Sequence, residues 1–499
     1  MSSEIHPVSE HPDILRDESR RVGHAEAVAW PTKIAEVAEL LRRAAAENLP
    51  VTFQGARTGI TGGAVPDGGL VVNLARLDQI GTIRRGTPVG PTVQVQAGFP
   101  LDPLRRAIQK QAADLFFAPD PTETSASIGG MAACNASGAR SFAFGPTRHH
   151  VQALTVVLAD GTVTTLVRGR DKAVGRDFRI KAPDGRVVVE GRLPVYTLPT
   201  VKNAAGYFVA PDMDLVDLFI GSDGTLGAIV SLELKLLSAP QVCWGLMCFA
   251  PTEAGALDLA EVLREAQPRP VALEYFDGRT LELIRRHYAE DRRVQTPPPG
   301  SRAALYVELM AASESEAEAA AEAVVAAIEA VGLSSEDAWF ATDERELKRL
   351  KDFRHAVPEA VNAVVDEHRR TCPEVTKIGT DFSLPAASFR AFLARQCRDA
   401  SEAGLDYVVF GHVGDCHIHL NLLPCTPEEK SVAWRLFHDW AREATRLGGS
   451  VAAEHGLGKL KADLLPVLFG DATVAAMRDL KRLFDPGERL GRGTLFLPG

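Results

Sequence analysis

The sequence predicts a mixed α+β protein, and three observations lead to this fold class. The chain has 499 residues, which corresponds to about three average domains or two larger ones. Helical and strand patterns alternate through the first half of the chain. The composition then changes near Pro240, after which apolar strands alternate with longer amphipathic helices. We therefore expect one unit that ends near residue 240 and further α+β structure after it.

Composition and charge exclude several classes of protein. Apolar residues make up 45% and charged residues 24%, which is ordinary for a globular protein and excludes disorder as the main state. A net charge of −10 argues against a nucleic-acid binder, which would show a basic face. The seven cysteines include no CxxC pair, so we expect a reducing compartment. Residues 1–21 are too polar for a signal peptide. A cytoplasmic protein is expected, with peripheral membrane contact left open.

In the first half, apolar spacing and turn residues place the elements. Apolar residues at helical spacing predict a helix over 33–47. A hairpin is predicted over 154–166, because an Asp-Gly turn separates two apolar runs. The segment 168–198 is either a surface hairpin or a mobile loop. The other elements predicted here are strands at 49–53, 70–74, 93–97, 217–220 and 229–237 and a helix at 101–113.

After Pro240 the same criteria predict longer helices between apolar strands. The helix at 314–331 is rich in Ala and Glu and carries its larger apolar residues on one side, as an ordinary packed helix does. The other predicted elements are strands at 243–249, 304–310 and 406–410 and helices at 252–265, 278–288, 343–367, 386–403, 427–447 and 471–483.

Two loops of small residues are the first candidates for a binding site. The loop 55–63 contains four glycines, so its backbone N–H groups could approach a phosphate closely. It is neither a Walker loop nor a GxGxxG motif, and a plain glycine-rich turn is the alternative. The stretch 119–138 has almost no large side chain, and its backbone donors and hydroxyls suit a pyrophosphate and a large polar ring. A structural loop is its alternative, but the two loops together favour a bound dinucleotide.

The segment after the predicted strand 406–410 carries the metal hypothesis. From residue 417 the pattern alternates, so His417, His419 and Asn421 share one face of a strand whose other face is aliphatic. Burying such a polar face is costly without a ligand. His412 precedes a Gly-Asp turn and can fold back beside His419, and two imidazoles at one place indicate a Zn or Mn type of site. A solvated strand face is the alternative. His417 is excluded as a ligand because it sits closer to the turn.

A second polar pair, Glu454 and His455, follows an apolar run expected to be a strand. The carboxylate and the imidazole could supply one metal ligand and one general base, whereas a helix cap with a surface histidine is the alternative. Arg354 on a predicted helix and Lys377 before a strand-like run could each hold a substrate carboxylate. Surface cations are the alternative for both. Asp223 is interpreted as a turn residue.

Taken together, these segments resemble the vanillyl-alcohol-oxidase/PCMH superfamily of flavoproteins. Within it they are similar to the D-lactate dehydrogenase, D-2-hydroxyglutarate dehydrogenase and glycolate oxidase flavin-subunit branch. The resemblance covers nearly the whole chain, in the family's order. The segments that carry it are QGARTGITGGAVPDGG, PDPTETSASIGGMAACNASG followed by FGPTRHHV, KNAAGYF, GSDGTLG, FGHVGDCHIHLN, AAEHGLGK and FDPGERLGRGTLF.

The resemblance implies an architecture and a set of site residues. It implies a PCMH-type FAD-binding domain of two α/β subdomains over 1–240. An α+β substrate domain with a central antiparallel sheet would occupy 241–425, and a helical segment over 426–499 would return to the flavin. His412, His419 and Glu454 match metal ligands, His455 a base, Asn421 a substrate-binding amide, and Arg354 and Lys377, more loosely, substrate cations. FAD would contact Gly55, Arg57, Thr58, Gly59, Thr61, Gly62, Gly63, Pro119, Asp120, Thr124, Ser125, Ser127, Gly129, Gly130, Asn135, Gly138, Gly227 and Ile229.

Some positions depart from the family pattern. The first loop begins Gly-Ala-Arg-Thr instead of Gly-Gly-Gly-Thr, and Asp223 replaces the usual Glu. The 55–63 loop has no histidine for a covalent flavin link, so the FAD is expected to be non-covalent.

The resemblance implies an FAD-dependent dehydrogenase or oxidase. Its substrate would be a small D-2-hydroxy acid such as D-lactate, D-2-hydroxyglutarate or a glycolate-like acid, held by a divalent Zn or Mn ion beside the histidine base. The electron acceptor would be a quinone, a cytochrome, an electron-transfer flavoprotein or oxygen, and a homodimer is allowed. Two other functions stay open: a flavin-free metallohydrolase, and a flavin subunit that only passes electrons within a complex.

Overall fold

Two four-stranded sheets form the N-terminal part of the protein, whose computed structural model describes residues 4–291 and 293–497. In the first sheet the strand Leu70–Asn73 is parallel to both of its neighbours, Ala27–Ala29 and Val51–Gln54, which a strand–helix–strand crossover connects. The helix of this crossover, Ile34–Ala46, buries Val37 and Leu41, the apolar face that the sequence predicts. The strand order of this sheet is Ile5–Pro7, Ala27–Ala29, Leu70–Asn73, Val51–Gln54.

The second sheet is antiparallel throughout and contains the predicted hairpin. The helix Leu101–Gln111 follows its first strand and buries Leu101, Leu104 and Ile108. The segment 168–198 forms a further antiparallel hairpin, which selects one of its two predicted structures. The strand order of the second sheet is Thr92–Gln96, Ala228–Lys235, Val151–Val157, Val163–Val167, and the further hairpin pairs Asp177–Lys181 with Val187–Arg192.

An antiparallel sheet dominates the chain after residue 240, as expected for the substrate domain. Its strand order is Trp339–Ala341, Val242–Ala250, Ala303–Ala311, Ala272–Asp277, Tyr407–Gly411, His417–Leu422, Ile378–Gly379, with Phe382–Ser383 also paired to His417–Leu422. The helices that accompany it are Glu253–Glu265, Gly278–His287, Glu314–Ala330, Glu344–Thr371, Ala386–Glu402 and Pro427–Arg446. Within the described residues, no helix combines the length and the apolarity needed to cross a bilayer.

The end of the chain returns to the N-terminal sheet. After the helices Leu464–Phe469 and Asp471–Phe484, the backbone pairs with Val51. The Val51 N–H donates to the Arg489 carbonyl and the Gly491 N–H donates to the Val51 carbonyl, each at 2.9 Å. The last helical segment is thereby tied to the N-terminal part of the chain.

Several local predictions were wrong. The apolar run predicted as a strand at 217–220 is a short helix, Val216–Phe219, because so short an apolar run has no readable period. The stretch 119–138, read as irregular, contains the helix Ile128–Ala133. Glu454 and His455 follow an irregular segment rather than a strand. The strand Ala272–Asp277 was not predicted, although it lies at the centre of the large sheet.

Candidate functional site

The three predicted metal ligands meet at one carboxylate oxygen. His419 lies on the strand His417–Leu422, and His412 follows the neighbouring strand Tyr407–Gly411. Their Nε2 atoms lie 3.1 Å and 3.2 Å from the same oxygen, Oε1 of Glu454. Glu454 reaches this point from a part of the chain more than thirty residues away, so only the fold creates the cluster.

The other nitrogen of each imidazole has its own partner. His412 Nδ1 lies 2.6 Å from Glu274 Oε1, and His419 Nδ1 lies 3.1 Å from the Thr380 carbonyl. Such contacts fix the orientation of a ligating ring and leave Nε2 to face the metal. Neither partner was predicted. A carboxylate in the buried run Ala272–Asp277 is the signal that could have identified Glu274.

His417 is also part of the cluster. Its ring is fully buried, and its centroid lies 4.6 Å from that of His419. Its Nε2 lies 2.9 Å from Asp381 Oδ1, and its Nδ1 lies 4.0 Å from Glu454 Oε2. One nitrogen of His417 therefore lies within 4.8 Å of possible ligand atoms of His412, His419 and Glu454, close enough for all four to bind one metal ion. That His417 is not a ligand stays a prediction.

These residues fit a divalent cation. Two imidazole nitrogens and a carboxylate oxygen are a donor set that Zn and Mn accept. Burial would raise the pKa of Glu454, but His412 and Lys202 beside it hold that pKa well below its usual range. Burial would lower the pKa of His412, yet Glu274 and Glu454 raise it to about 9. A cation bound here would therefore displace a proton from His412 and take its place beside the carboxylates.

His455 lies beside the same cluster. Its Nε2 is 3.4 Å from Glu454 Oε1, and its Nδ1 is 3.4 Å from Asp381 Oδ2. Asp381 Oδ2 also accepts a hydrogen bond from the His455 backbone N–H at 3.0 Å. The ring is 29% exposed while Asp381 is fully buried, so one edge of the imidazole is open and the other is held. The role of Asp381 was not predicted from the sequence.

The structure brings two of the three predicted substrate residues to the cluster. The buried Arg354 places Nη2 3.5 Å from Glu274 Oε2, the carboxylate that also faces His412. Asn421 is buried two residues after His419 on the same strand, and its Nδ2 atom has no hydrogen-bond partner within the described residues. Lys377 instead donates to Asn362 Oδ1 at 3.1 Å, on the long helix Glu344–Thr371.

The first glycine loop is shaped as a cradle. A Cβ atom added at Gly59 or Gly63 would meet no atom within 4 Å, so the backbone there borders open space. At Gly55 the added atom would lie 2.0 Å from Ser127 Oγ, which brings the first loop against the second. The two loops are also joined by the Ala56 N–H, which donates to Ser127 Oγ. The open backbone and the joined loops fit a dinucleotide.

Several side chains predicted to contact FAD are engaged within the protein. Asp120 lies 2.7 Å from Arg105, and Arg57 lies 2.9 Å from Asp13. That Asp120 and Arg57 also contact FAD stays a prediction. Six other residues predicted to contact FAD also have partners within the protein. Among the side chains, Thr124 donates to Asp102, Ser127 caps the helix Ile128–Ala133, and Asn135 accepts from the Arg148 N–H. Gly138 packs on the Asp120 carbonyl and Gly227 on the Val157 carbonyl, and Ile229 lies in the strand Ala228–Lys235.

The chain resembles known proteins over nearly its whole length. Residues 25–166 match the model of the FAD binding domain family, and residues 240–495 match that of the FAD linked oxidases, C-terminal domain. A D-2-hydroxyglutarate dehydrogenase of Xanthomonas citri is 30% identical, covering 96% of this chain and 91% of the relative. Two further relatives are each 28% identical, and each alignment covers 94% of this chain. They are a D-lactate dehydrogenase of Archaeoglobus fulgidus, covered over 90% of its length, and a glycolate oxidase subunit of Bacillus subtilis, covered over 89%.

The comparison with solved structures confirms the fold class. An alkyldihydroxyacetonephosphate synthase superposes with a TM-score of 0.62 at 14% identity, covering 94% of this chain and 77% of that chain. At this level of identity the likeness concerns the fold alone. With family models matched in both halves and a 30% identical relative along almost the entire chain, the protein belongs to the family of FAD-linked oxidases.

Proposed function

We propose that the protein is an FAD-dependent dehydrogenase that oxidises a D-2-hydroxy acid to the 2-keto acid. The relatives named as dehydrogenases of D-lactate and D-2-hydroxyglutarate and as a glycolate oxidase subunit support this substrate class. One observation carries the proposal. His455 Nε2 lies within 3.4 Å of the Glu454 oxygen on which His412 and His419 converge, so a base stands beside a candidate metal site.

The chain's own residues would hold two absent groups. We assign a Zn or Mn ion to His412, His419 and Glu454, where it would supply Lewis-acid chemistry to the substrate hydroxyl and carboxylate. We assign non-covalent FAD to the loops 55–63 and 119–138, where it would accept a hydride. The buried second partners of the imidazoles keep the donor atoms oriented in the absence of substrate.

In this proposal His455 removes the hydroxyl proton of the substrate. Its Nε2 accepts the proton, while the Asp381 carboxylate, 3.4 Å from Nδ1, would favour the tautomer that carries its proton on Nδ1. Arg354 supplies positive charge for a substrate carboxylate, and Asn421 has an unpartnered amide N–H₂ to donate. We keep Lys377 as a second candidate cation, although it donates to Asn362.

Anaerobic mixing with a panel of hydroxy acids tests the proposal. We expect D-2-hydroxy acids to bleach the oxidised-flavin absorbance, and L enantiomers to do so much more slowly, because a base and a hydride acceptor held at fixed positions in the protein would suit only one of the two enantiomers. A dye acceptor should then sustain turnover. Failure of every D-2-hydroxy acid to reduce the flavin would contradict the assigned reaction.

The same purified protein separates the alternatives. A yellow protein with an FAD spectrum argues against a flavin-free metallohydrolase, in agreement with the family membership. Reduction of the flavin by substrate in the isolated chain argues against a subunit that only relays electrons. Comparing a quinone, a cytochrome, an electron-transfer flavoprotein and oxygen as oxidants identifies the acceptor, and sizing of the protein tests the homodimer.

A further inference from the structure

The stretch 450–460 carries both Glu454 and His455 and lies between two parts of the fold. On one side it contacts residues of the substrate half, namely Asp381, His412 and His419. On its other side it contacts residues that precede Pro240. The position of the candidate ligand and base therefore depends on both halves of the protein.

The two oxygens of Glu454 face different halves. Oε1 faces the imidazole nitrogens of the proposed metal site. Oε2 accepts hydrogen bonds from Lys202 Nζ at 2.9 Å and from Ser137 Oγ at 3.2 Å. Both donors belong to the first 240 residues; Ser137 is buried, and the side chain of Lys202 is 9% exposed. They fix the rotation of the carboxylate, so that its other oxygen points at His412 and His419.

Both loops assigned to FAD contact this stretch. Ser137 ends the small-residue loop 119–138. From the other loop, Thr61 Oγ1 donates to the His455 carbonyl at 3.2 Å, and the Thr61 carbonyl accepts from the Lys459 N–H at 2.9 Å. Gly458 meets the same carbonyl so closely that a Cβ there would lie 2.3 Å from it, and its φ is +52°. A ligand that orders these loops therefore also orders the residues around Glu454.

We propose that FAD binding and metal binding are positively coupled through Ser137, a positioning residue that holds Glu454 in its metal-binding orientation. The inference rests on the proposed function, since it takes FAD at the two loops and a cation at Glu454. FAD and the metal would each order the stretch 450–460, so the second of them to bind would lose less conformational entropy. Thermodynamic linkage then requires that FAD strengthens metal binding and that metal strengthens FAD binding by the same factor.

The FAD dissociation constant of the holoenzyme, with and without Zn²⁺, tests the coupling. Flavin fluorescence on dilution would be measured for chelator-treated protein and for protein saturated with Zn²⁺ alone. We expect FAD to bind about tenfold more tightly in the presence of zinc, a moderate value for coupled sites. Competition with a chromophoric chelator should show the same factor when zinc affinity is compared between FAD-loaded and FAD-stripped protein.

Ser137→Ala should lower the factor towards one, because it removes the hydrogen bond from the 119–138 loop to Glu454 without changing charge, while the contacts of Thr61 remain. Ser231→Ala is the matched control: Ser231 is also buried in the first half, but its hydroxyl donates to the Val95 carbonyl. The control should keep the wild-type factor. If Ser137→Ala does not fold, the two wild-type measurements still decide the question.

The possible failures are distinguishable. If the protein binds zinc but its FAD affinity is the same with and without zinc, the coupling is overturned and the proposed metal site is left intact. A Ser137→Ala factor equal to a wild-type factor above one would leave the coupling intact and overturn its assignment to Ser137. No zinc bound by the FAD-loaded protein would overturn the metal site itself, and the coupling with it.

Discussion

His455 is the residue at which one substitution should separate catalysis from substrate binding. We expect His455→Asn to slow flavin reduction about 10²–10⁴-fold, the usual contribution of a positioned base. Substrate affinity should fall much less, because Arg354 and the Glu454 cluster would still hold the carboxylate. Stopped-flow reduction at several substrate concentrations measures both quantities.

The pH dependence of this variant gives a second readout. The loss should narrow at high pH, where solvent hydroxide can replace the missing base. A near-normal rate at neutral pH would mean that His455 is only structural. Asp381 would then have to be reconsidered as holding the backbone of this segment rather than a catalytic ring.

The two histidines on the strand His417–Leu422 make a matched pair for the metal prediction. We expect His419→Ala to abolish stoichiometric Zn or Mn, because its Nε2 is one of the two nitrogens converging on Glu454 Oε1. His417→Ala should retain the metal, since the His417 ring faces Asp381. Metal analysis of both purified variants decides between them. FAD should stay bound in each, weakened in His419→Ala only by the coupling factor proposed above.

Metal loss on changing His417 instead of His419 would reverse the assignment. The burial of His417 and its 4.0 Å approach to Glu454 make this a real test. The sequence pattern placed both rings on one face of the strand but carried no information about which nitrogen points where.

Much of the candidate site follows from local sequence, and the remainder depends on long-range packing. The alternation of polar and apolar residues from residue 417 singled out His419 and Asn421, and the runs of glycine and other small residues singled out the two loops. Asp381, Glu274 and Lys202 were missed as site residues because each reaches the cluster from a different strand or loop. Their local sequences show no periodicity that distinguishes a buried polar partner from an exposed one.

At the scale of elements, Asp277 joins a helix to the central strand next to the site. Its Oδ1 accepts from the Thr280 N–H, which caps the helix Gly278–His287, and from the Val409 N–H of the strand Tyr407–Gly411. The side chain is buried, and burial raises its pKa from 3.8 to about 6 against the effect of these donors. The carboxylate therefore costs stability whenever it is ionised.

This raised pKa gives a signed prediction for stability. The pKa of Asp277 is higher in the folded state than in the unfolded state. The protonated carboxyl therefore carries no ionisation penalty below about pH 4, and the free energy of unfolding falls as the pH rises from there through about 6. Asp277→Asn keeps the acceptor oxygen but cannot ionise. The free energy of unfolding of the variant minus that of the wild type should therefore be about 1–3 kcal/mol larger at about pH 7.5 than at about pH 4.5. Urea unfolding at the two pH values measures this, and a pH-independent difference would show that Asp277 titrates normally.

The elements that the sequence located best are those with a long period or a clear turn. The helix Ile34–Ala46 and the hairpin strands Val151–Val157 and Val163–Val167 were predicted to within a few residues. The strand Ala272–Asp277 was missed because both of its faces are buried, so its sequence does not alternate, and because it contains two acids. The helix Val216–Phe219 has only four residues, and tertiary packing determined its conformation.

At the scale of the whole molecule, distant segments close around the proposed cofactor site. The loop 55–63 follows a strand that pairs with Leu490, and the turn 455–460 docks on that loop through Thr61. The chain therefore forms the cradle by bringing its two ends together.

This arrangement, with no histidine in the sequence of either small-residue loop, leads to the prediction that FAD is bound non-covalently. Acid or heat precipitation should leave essentially all flavin in the supernatant, since unfolding removes the contacts between the two ends of the chain that hold it. Chromatography of the released flavin should identify FAD, because two loops suited to phosphates fit a pyrophosphate better than a single phosphate. Flavin that precipitates with the protein would contradict the non-covalent assignment. Release of FMN would leave the second loop without its assigned ligand.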